Sequence, residues 1–240
     1  YITADPYFRK DLQEKMTFSI VYAYNENYIL PLSHDEVVHG KASLVNKMPG
    51  YYVDKFGGLM TYLGYMMAHP GKKLMFMGGE FAQFIEWNYK QALDWILLDY
   101  PSHRGVKKFV EDLNKLYISE PAMYSLDTSY DGFRWLTADD KGRNILCFMR
   151  IADNGDYIIA VMNFSPMKWD NYYVGVPENR TYKTILDSTN KKYGNGVTTG
   201  IKKYKAVKGG VHNQPFHIEM DIMPNSVTYL KLYVPRRAKQ

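Results

Sequence analysis

Two short apolar runs, residues 28–33 and 73–77, alternate with two stretches in which apolar residues return every third or fourth position. In residues 54–67 these are Phe56, Leu59, Met60, Leu63, Met66 and Met67; in residues 104–118 they are Val106, Phe109, Val110, Leu113, Leu116 and Tyr117. Both sets follow i, i+3, i+4, i+7, i+10, i+11, which lays one apolar stripe along a helix. Pro70-Gly71 and Glu120-Pro121 supply the stops, because proline drives its predecessor to extended backbone. Continuous apolar strands alternating with amphipathic helices read as βα units on a buried parallel sheet. Residues 11–25 fit a helix through Leu12, Met16, Ile20 and Tyr24 and a strand through Phe18, Ile20, Tyr22 and Tyr24. The helix, ended by Asn25-Glu26-Asn27, is the favoured reading.

After about residue 125 the pattern changes. Short runs rich in β-branched and aromatic residues appear at 133–137, 144–151, 157–164, 171–176, 181–186, 216–222 and 227–234. Turn signals such as Asp139-Asp140-Lys141-Gly142 and Asp153-Asn154-Gly155-Asp156 separate them. Seven such strands predict an antiparallel β-sandwich. The boundary falls near residues 121–126, giving an α/β part over 1–122 and an all-β part over 123–240.

The bulk numbers agree with a water-soluble globular chain: 240 residues, 46% hydrophobic and 23% charged. Residues 121–240 hold 17 of the 30 basic residues and 11 of the 25 acidic ones, so the net charge of +5 arises there. Lys191, Lys192, Lys202, Lys203, Lys205 and Lys208 carry much of it. They lie in a Gly- and Thr-rich stretch without helical periodicity, which reads as a solvated loop rather than a nucleic-acid face. The 22 Tyr, 11 Phe and 4 Trp suit both a β-rich core and stacking on sugar rings, with the core the safer reading for most. A lone Cys147 leaves no internal disulfide framework and points to a reducing, cytoplasmic setting. No apolar run approaches the length of a membrane span. The chain begins at Tyr1 rather than Met and reads as cut from a longer one.

Chemistry concentrates where the two apolar runs end. The first runs into His34-Asp35-Glu36, with His39 and Lys41 behind; the second runs into Gly78-Gly79-Glu80, with Glu86 and Trp87 further on. The connections that follow, roughly 35–53 and 78–104, are long for a compact domain, and such loops are usually functional. On a βα barrel they sit at the catalytic face. Asp35 suits stabilisation of a cationic centre and His34 a hydrogen bond to a sugar hydroxyl. Equally, Asp35 suits the cap of a turn and His34 the filling of a polar gap. Glu80 reads as a hydrogen-bonding support, and Trp87 as either a stacking platform or part of the loop's own core. Trp135, on an alternating strand, reads as buried; Trp169, in a loop, as exposed. A metal held by His34 and His39 is a weak idea, since Asp35 is the only evident third ligand. No Gly-rich phosphate loop, nucleophile elbow or paired-Cys motif is present.

The run Leu30-Pro31-Leu32-Ser33-His34-Asp35-Glu36-Val37-Val38-His39-Gly40-Lys41, then Met48-Pro49-Gly50, Pro70-Gly71-Lys72-Lys73-Leu74-Met75-Phe76-Met77-Gly78, Glu80-Phe81-Ala82-Gln83 and Glu86-Trp87-Asn88, closely resembles the bacterial 1,4-α-glucan (glycogen) branching enzymes of the α-amylase superfamily. The resemblance continues through Leu93-Asp94-Trp95, Tyr130-Asp131-Gly132-Phe133-Arg134-Trp135 and Asn163-Phe164-Ser165-Pro166, and so covers essentially the whole chain. It implies the C-terminal part of a (β/α)8 TIM barrel followed by an antiparallel β-sandwich. It further implies a glucan transferase of glycogen biosynthesis that cleaves α-1,4 links and forms α-1,6 branches by a retaining double displacement. Asp35 matches the family's transition-state-stabilising carboxylate and His34 its sugar-contacting neighbour. Glu36, His39, Glu80 and Trp87 are then candidates for substrate binding. The nucleophilic Asp and general-acid Glu lie on earlier strands, outside this chain, so the chain alone is expected to be inactive. The expected partner is an α-glucan, glycogen or amylose, with no nucleic acid, membrane, metal or cofactor, and with a monomeric full-length enzyme. Gly79 and Phe84-Ile85 depart from the family's pattern, and the second departure leaves the details of glucan contact open. Two other readings are a hydrolase or debranching enzyme of the same superfamily and a non-catalytic glucan-binding module that draws on the sandwich and Trp169.

Overall fold

The computed structural model describes residues 1–194 and 196–235. The chain opens with short helical turns, Arg9–Leu12, α1 (Glu14–Thr17) and Phe18–Val21. The continuous helix expected over 11–25 is therefore broken. Gln13 is pulled inward to donate from Nε2 to the carbonyls of Ala138 (2.9 Å) and Ile145 (3.3 Å), and Tyr65 donates through its hydroxyl to Met16 O. These tertiary bonds take over from a marginal helical repeat, in a stretch where Thr17, Ile20 and Val21 are β-branched and weaken helix propagation.

Strand β1 (Ile29–Leu32) pairs in parallel with β2 (Lys72–Met75), with Ile29 opposite Lys72 and Leu32 opposite Met75. Between them runs α2 (Tyr52–Ala68), and after β2 comes α3 (Pro101–Ser119). At the start of α2, Asp54 accepts a 3.0 Å hydrogen bond from Tyr51 N and places an acid where the helix dipole favours one. Its end is set by extended backbone at His69 before Pro70. The apolar stripe read from the sequence is the buried face: Phe56, Leu59, Leu63 and Met67 are all nearly inaccessible. Each such side chain contributes roughly 1.5–3 kcal/mol of burial. Among the described residues the parallel sheet has two strands and does not close into a barrel.

The rest is all-β. One antiparallel sheet has the order β3 (Phe133–Asp140), β4 (Ile145–Ile151), β5 (Tyr157–Asn163), β11 (Ser226–Leu232), β7 (Thr181–Asp187) and β8 (Lys203–Lys205). The other has the order β6 (Trp169–Val176), β10 (Gln214–Ile222) and β9 (Val207–Val211). Strands β4 and β5 are almost wholly buried, which explains the apolar runs 145–149 and 157–162. Leu146, Phe148, Ile158, Ala160 and Met162 face the helices, while Ile145, Cys147, Met149, Ile159 and Val161 face the second sheet. Alternation is thus preserved with both faces apolar.

Three of the six lysines lie on strands and not in the loop the sequence suggests. Lys203 and Lys205 lie on β8, which pairs with β7 in the register Lys183 opposite Lys203 and Thr181 opposite Lys205, and Lys208 lies on β9. Both are edge strands, where lysines discourage further pairing. The two parts of the chain share one core. A Cβ at Gly64 of α2 would lie 2.5 Å from Val227 Cγ1 of β11, so only glycine allows this helix to sit so close to the sheet. Tyr229 of β11 seals the contact by donating to Gly64 O. Arg150, fully buried on β4, donates to Asp127 Oδ1 (2.6 Å), to Ala68 O at the end of α2 (2.7 Å) and to Gly132 O (3.2 Å).

Candidate active site

β1 ends at Leu32, and Ser33 caps a single 3-10 turn made of His34, Asp35 and Glu36. Ser33 Oγ accepts from Asp35 N at 3.3 Å. The capping task that the sequence also allowed for Asp35 therefore falls to Ser33. The Asp35 carboxylate is left 71% exposed, with His34 Nε2 3.4 Å from its Oδ1. His34 also lies beside Phe76, just beyond β2, with ring centres 6.0 Å apart. Glu36 pairs with Lys47 Nζ at 3.1 Å. An acid, an imidazole and a second, neutralised acid thus leave the end of one strand within a single turn.

The loop behind them takes unusual backbone. His39 (φ 55°), Gly40 (φ 79°) and Ala42 (φ 62°) all adopt left-handed conformations. For Ala42 in particular this is unfavourable by roughly 1–2 kcal/mol. The counterweight comes from the second loop. Glu86 Oε1 accepts from Ala42 N at 2.7 Å and Oε2 from Gly40 N at 3.1 Å. These two backbone N–H groups, Ala42 first, hold the Glu86 carboxyl below the usual carboxylate range. Asn46 Nδ2 and Ser43 Oγ both donate to Phe84 O, at 2.5 and 2.8 Å. The exposed His39 is carried on this clamped segment. In the sequence Glu86 reads only as a neighbour of Trp87 on the second loop; its partners lie more than forty residues away, and no local pattern marks them.

Trp87 N donates to Val37 O at 3.0 Å, which ties the second loop to the turn carrying Asp35. Its indole stands edge-on to Phe76 at 5.1 Å and, with Leu32, Val37 and Ile85, lines a small cavity at the ends of β1 and β2. Trp87 is half-buried, so packing within the loop takes part of its surface and leaves the rest available. Glu80 is half-buried in the turn Gly79–Phe81, above a fully buried Phe81 that stacks on Trp95. The structure thus ties Trp87 to the Asp35 turn, and clamps the loop that carries His39; for Glu80 it gives a position at the neighbouring strand's exit.

Trp135, read as buried, is half-buried against Phe133 and Phe148. Trp169, read as exposed, is half-buried at the start of β6 beneath the Arg143 guanidinium, 5.7 Å from the ring centre. Among the described residues no group of three or more His, Cys, Asp or Glu could hold a metal ion, and no helix is long and apolar enough to cross a membrane.

Residues 135–233, the greater part of the antiparallel sandwich, match the family described as alpha amylase, C-terminal all-beta domain. Over its whole length the chain is homologous to proteins named 1,4-alpha-glucan branching enzyme. It is 46% identical over 232 residues to the GlgB branching enzyme of Halothermothrix orenii, a match that covers 96% of this chain. It is 44% identical over 241 residues, covering 100% of the chain, to GlgB of Bacillus cereus strain AH187. The chain spans 37% of the length of each of these relatives. Among solved structures, a variant of AmyP in complex with maltotriose superposes with a TM-score of 0.62 at 14% identity, covering 94% of this chain and 45% of that one. That likeness speaks for the fold alone.

Proposed function

We propose that this chain is the part of a glycogen-branching transferase that supplies the transition-state-stabilising carboxylate, Asp35. The observation that carries the reading is the turn at the end of β1: Ser33 takes the cap, and Asp35 projects from a strand exit with its carboxylate exposed. His34, Glu36, His39, Glu80 and Trp87 contact the α-glucan around it.

In this reading β1 with α2 and β2 with α3 are the last two βα units of a (β/α)8 barrel, and the chain divides at residues 122/123. The exposure of the small sheet supports this. Ile29 is 56%, Leu74 41% and Met77 53% exposed, although parallel strands are ordinarily covered on both faces. Further barrel strands, carried on sequence outside this chain, would cover them. That sequence also supplies the nucleophile and the general acid, so the chain alone transfers no glucan. The full-length enzyme is cytoplasmic, monomeric and free of cofactors.

The chemistry is a retaining transfer. The nucleophilic carboxylate attacks the anomeric carbon while the acid protonates the leaving oxygen, and a glycosyl-enzyme intermediate forms. The acid, now a base, then takes the proton from a glucan 6-hydroxyl that attacks the same carbon. Asp35 stabilises the positive charge that builds on the glucosyl carbon in both steps. Such a group is worth about 3–4 kcal/mol in a dry site, or about two to three orders of magnitude in rate.

The test is branch formation on amylose by the protein that unites this chain with the rest of the barrel, read as new α-1,6 linkages. Asp35→Asn is expected to lower turnover by at least about a hundredfold with an unchanged melting temperature. Near-normal turnover in that variant, or new branch points made by the 240-residue chain alone, overturns the reading.

A further inference from the structure

A cleft of about 520 Å³ opens where α3 meets the short turn Lys191–Tyr193 of the sandwich. None of the six predicted site residues lines it. Five cations do, Arg104, Lys107, Lys108, Lys191 and Lys192, together with one carboxylate, Glu111. Backbone contact locks the two elements together. A Cβ at Gly105 of α3 would collide with Tyr193 O, and Gly194 (φ 90°) comes up against Pro101 O. Tyr193 is buried edge-on to Phe109 at 5.1 Å and donates to Asp112 Oδ2 at 3.0 Å. Asp112 also holds one lysine from each element, Lys108 Nζ at 3.0 Å and Lys192 Nζ at 2.8 Å. Arg104 is fixed too: its Nη1 donates to Leu98 O at 2.9 Å and Asp99 O at 2.6 Å. Its Nε and Nη2, and the ammonium groups of Lys107 and Lys191, have no partner among the described residues. With Asp112 and Glu111 set against the five cations, an excess of three positive charges is gathered in one cleft.

We propose that this cleft binds a compact phosphorylated anion, gripped by Arg104, Lys107, Lys108, Lys191 and Lys192. The proposal does not depend on the function proposed above. Every free group in the cleft is a donor, and a phosphate offers only acceptors. The open Nε–Nη2 edge of Arg104 takes two phosphate oxygens in parallel, and the carbonyls behind it hold the fork in place. An ammonium carries three donors, so Lys192 keeps two after its bond to Asp112, and Lys108 keeps one after its contacts with Asp112 and Glu111. Asp112 thus holds both ammonium groups in position before a ligand arrives. The charge excess sets the size of the ligand's charge: two phosphate groups, each at roughly −1.5 to −2, match it better than a single carboxylate does. A neutral sugar fits less well, because no aromatic side chain lines the cleft to stack on a ring.

Calorimetric titration of the full-length protein tests the proposal, with inorganic pyrophosphate as one probe and 2,3-bisphosphoglycerate as its organic counterpart. At about 0.15 M salt diffuse surface charge is screened, and saturable binding is still expected. Lys107→Gln combined with Lys191→Gln removes the two free ammonium groups and is expected to weaken binding at least about tenfold. Lys205→Gln combined with Lys208→Gln removes the same charge from the exposed edge strands and is expected to leave binding unchanged. Glu111→Gln removes the opposing carboxylate and is expected to tighten binding about twofold to fivefold, a gain that damage to the fold would not produce. Thermal melts of the variants verify folding. Equal affinity for the two anions supports a site that reads phosphate alone; tighter binding of 2,3-bisphosphoglycerate supports one that also reads the organic part. No saturable binding of either anion, equal losses in the two double variants, or unchanged binding in the Lys107/Lys191 variant overturns the proposal.

Discussion

Arg150 and Asp127 form a 2.6 Å ion pair in which both side chains are almost fully removed from water. Asp127 also faces Lys72 Nζ at 3.6 Å and accepts from Tyr117 at 3.4 Å, while Arg150 reaches back to Ala68 O. One buried pair therefore joins β2, the end of α2, α3 and the sandwich. Removing one partner strands the other as an uncompensated charge. Asp127→Ala is expected to lower stability by about 3–5 kcal/mol in urea denaturation. The double variant Asp127→Leu with Arg150→Met is expected to recover much of that loss. A single variant as stable as the parent would show that the pair does not hold the two parts together.

The close approach of α2 to β11 gives a second expectation. Gly64→Ala places a methyl 2.5 Å from Val227 Cγ1. Although alanine is the better helix former, overpacking here should cost about 1–3 kcal/mol. Val227→Ala opens space at that point and is expected to offset part of the cost, a coupling that a double-mutant cycle would read directly.

His69 makes stability depend on pH. Burial lowers its pKa from 6.5 to about 4. Its Nδ1 donates to Pro70 O at 2.7 Å and its Nε2 accepts from Ser19 Oγ at 2.7 Å, which fixes the neutral ring. Between about pH 4 and 6.5 the unfolded chain binds the extra proton and the folded one does not. Stability from this group therefore rises with pH across that window, is complete above 6.5 and is lost as pH falls towards 4, by about 3 kcal/mol in all. Melts at pH 7 and pH 5 should show the drop, and His69→Gln should flatten it.

Glu86 is expected to act through position rather than contact with substrate. Its folded pKa is depressed, so its clamp on Gly40 and Ala42 is present above the unfolded value and is released as pH falls through the folded one. Glu86→Ala should speed amide exchange at Gly40 and Ala42. In the full-length enzyme it should lower turnover by about a hundredfold, the cost of a roughly 1 Å misplacement. Unchanged exchange would show that the strained loop needs no clamp.

The sequence by itself determined what is local. The 3.6-residue stripes of α2 and α3, their proline stops and the strands β3 to β7, β10 and β11 follow from patterns a few residues long, because apolar periodicity and proline act on the chain's own backbone. The turn bearing His34, Asp35 and Glu36 was also legible, since a strand must end where its apolar run ends. Only the tertiary structure decided the rest. The expected helix over 11–25 breaks because Gln13 is claimed by carbonyls more than a hundred residues away. Lys203 to Val211 become edge strands because β7 and β10 offer them partners. Glu86 and Trp87 reach the Asp35 loop, and α2 reaches β11, through contacts whose energy depends on separation in space and not on spacing along the chain.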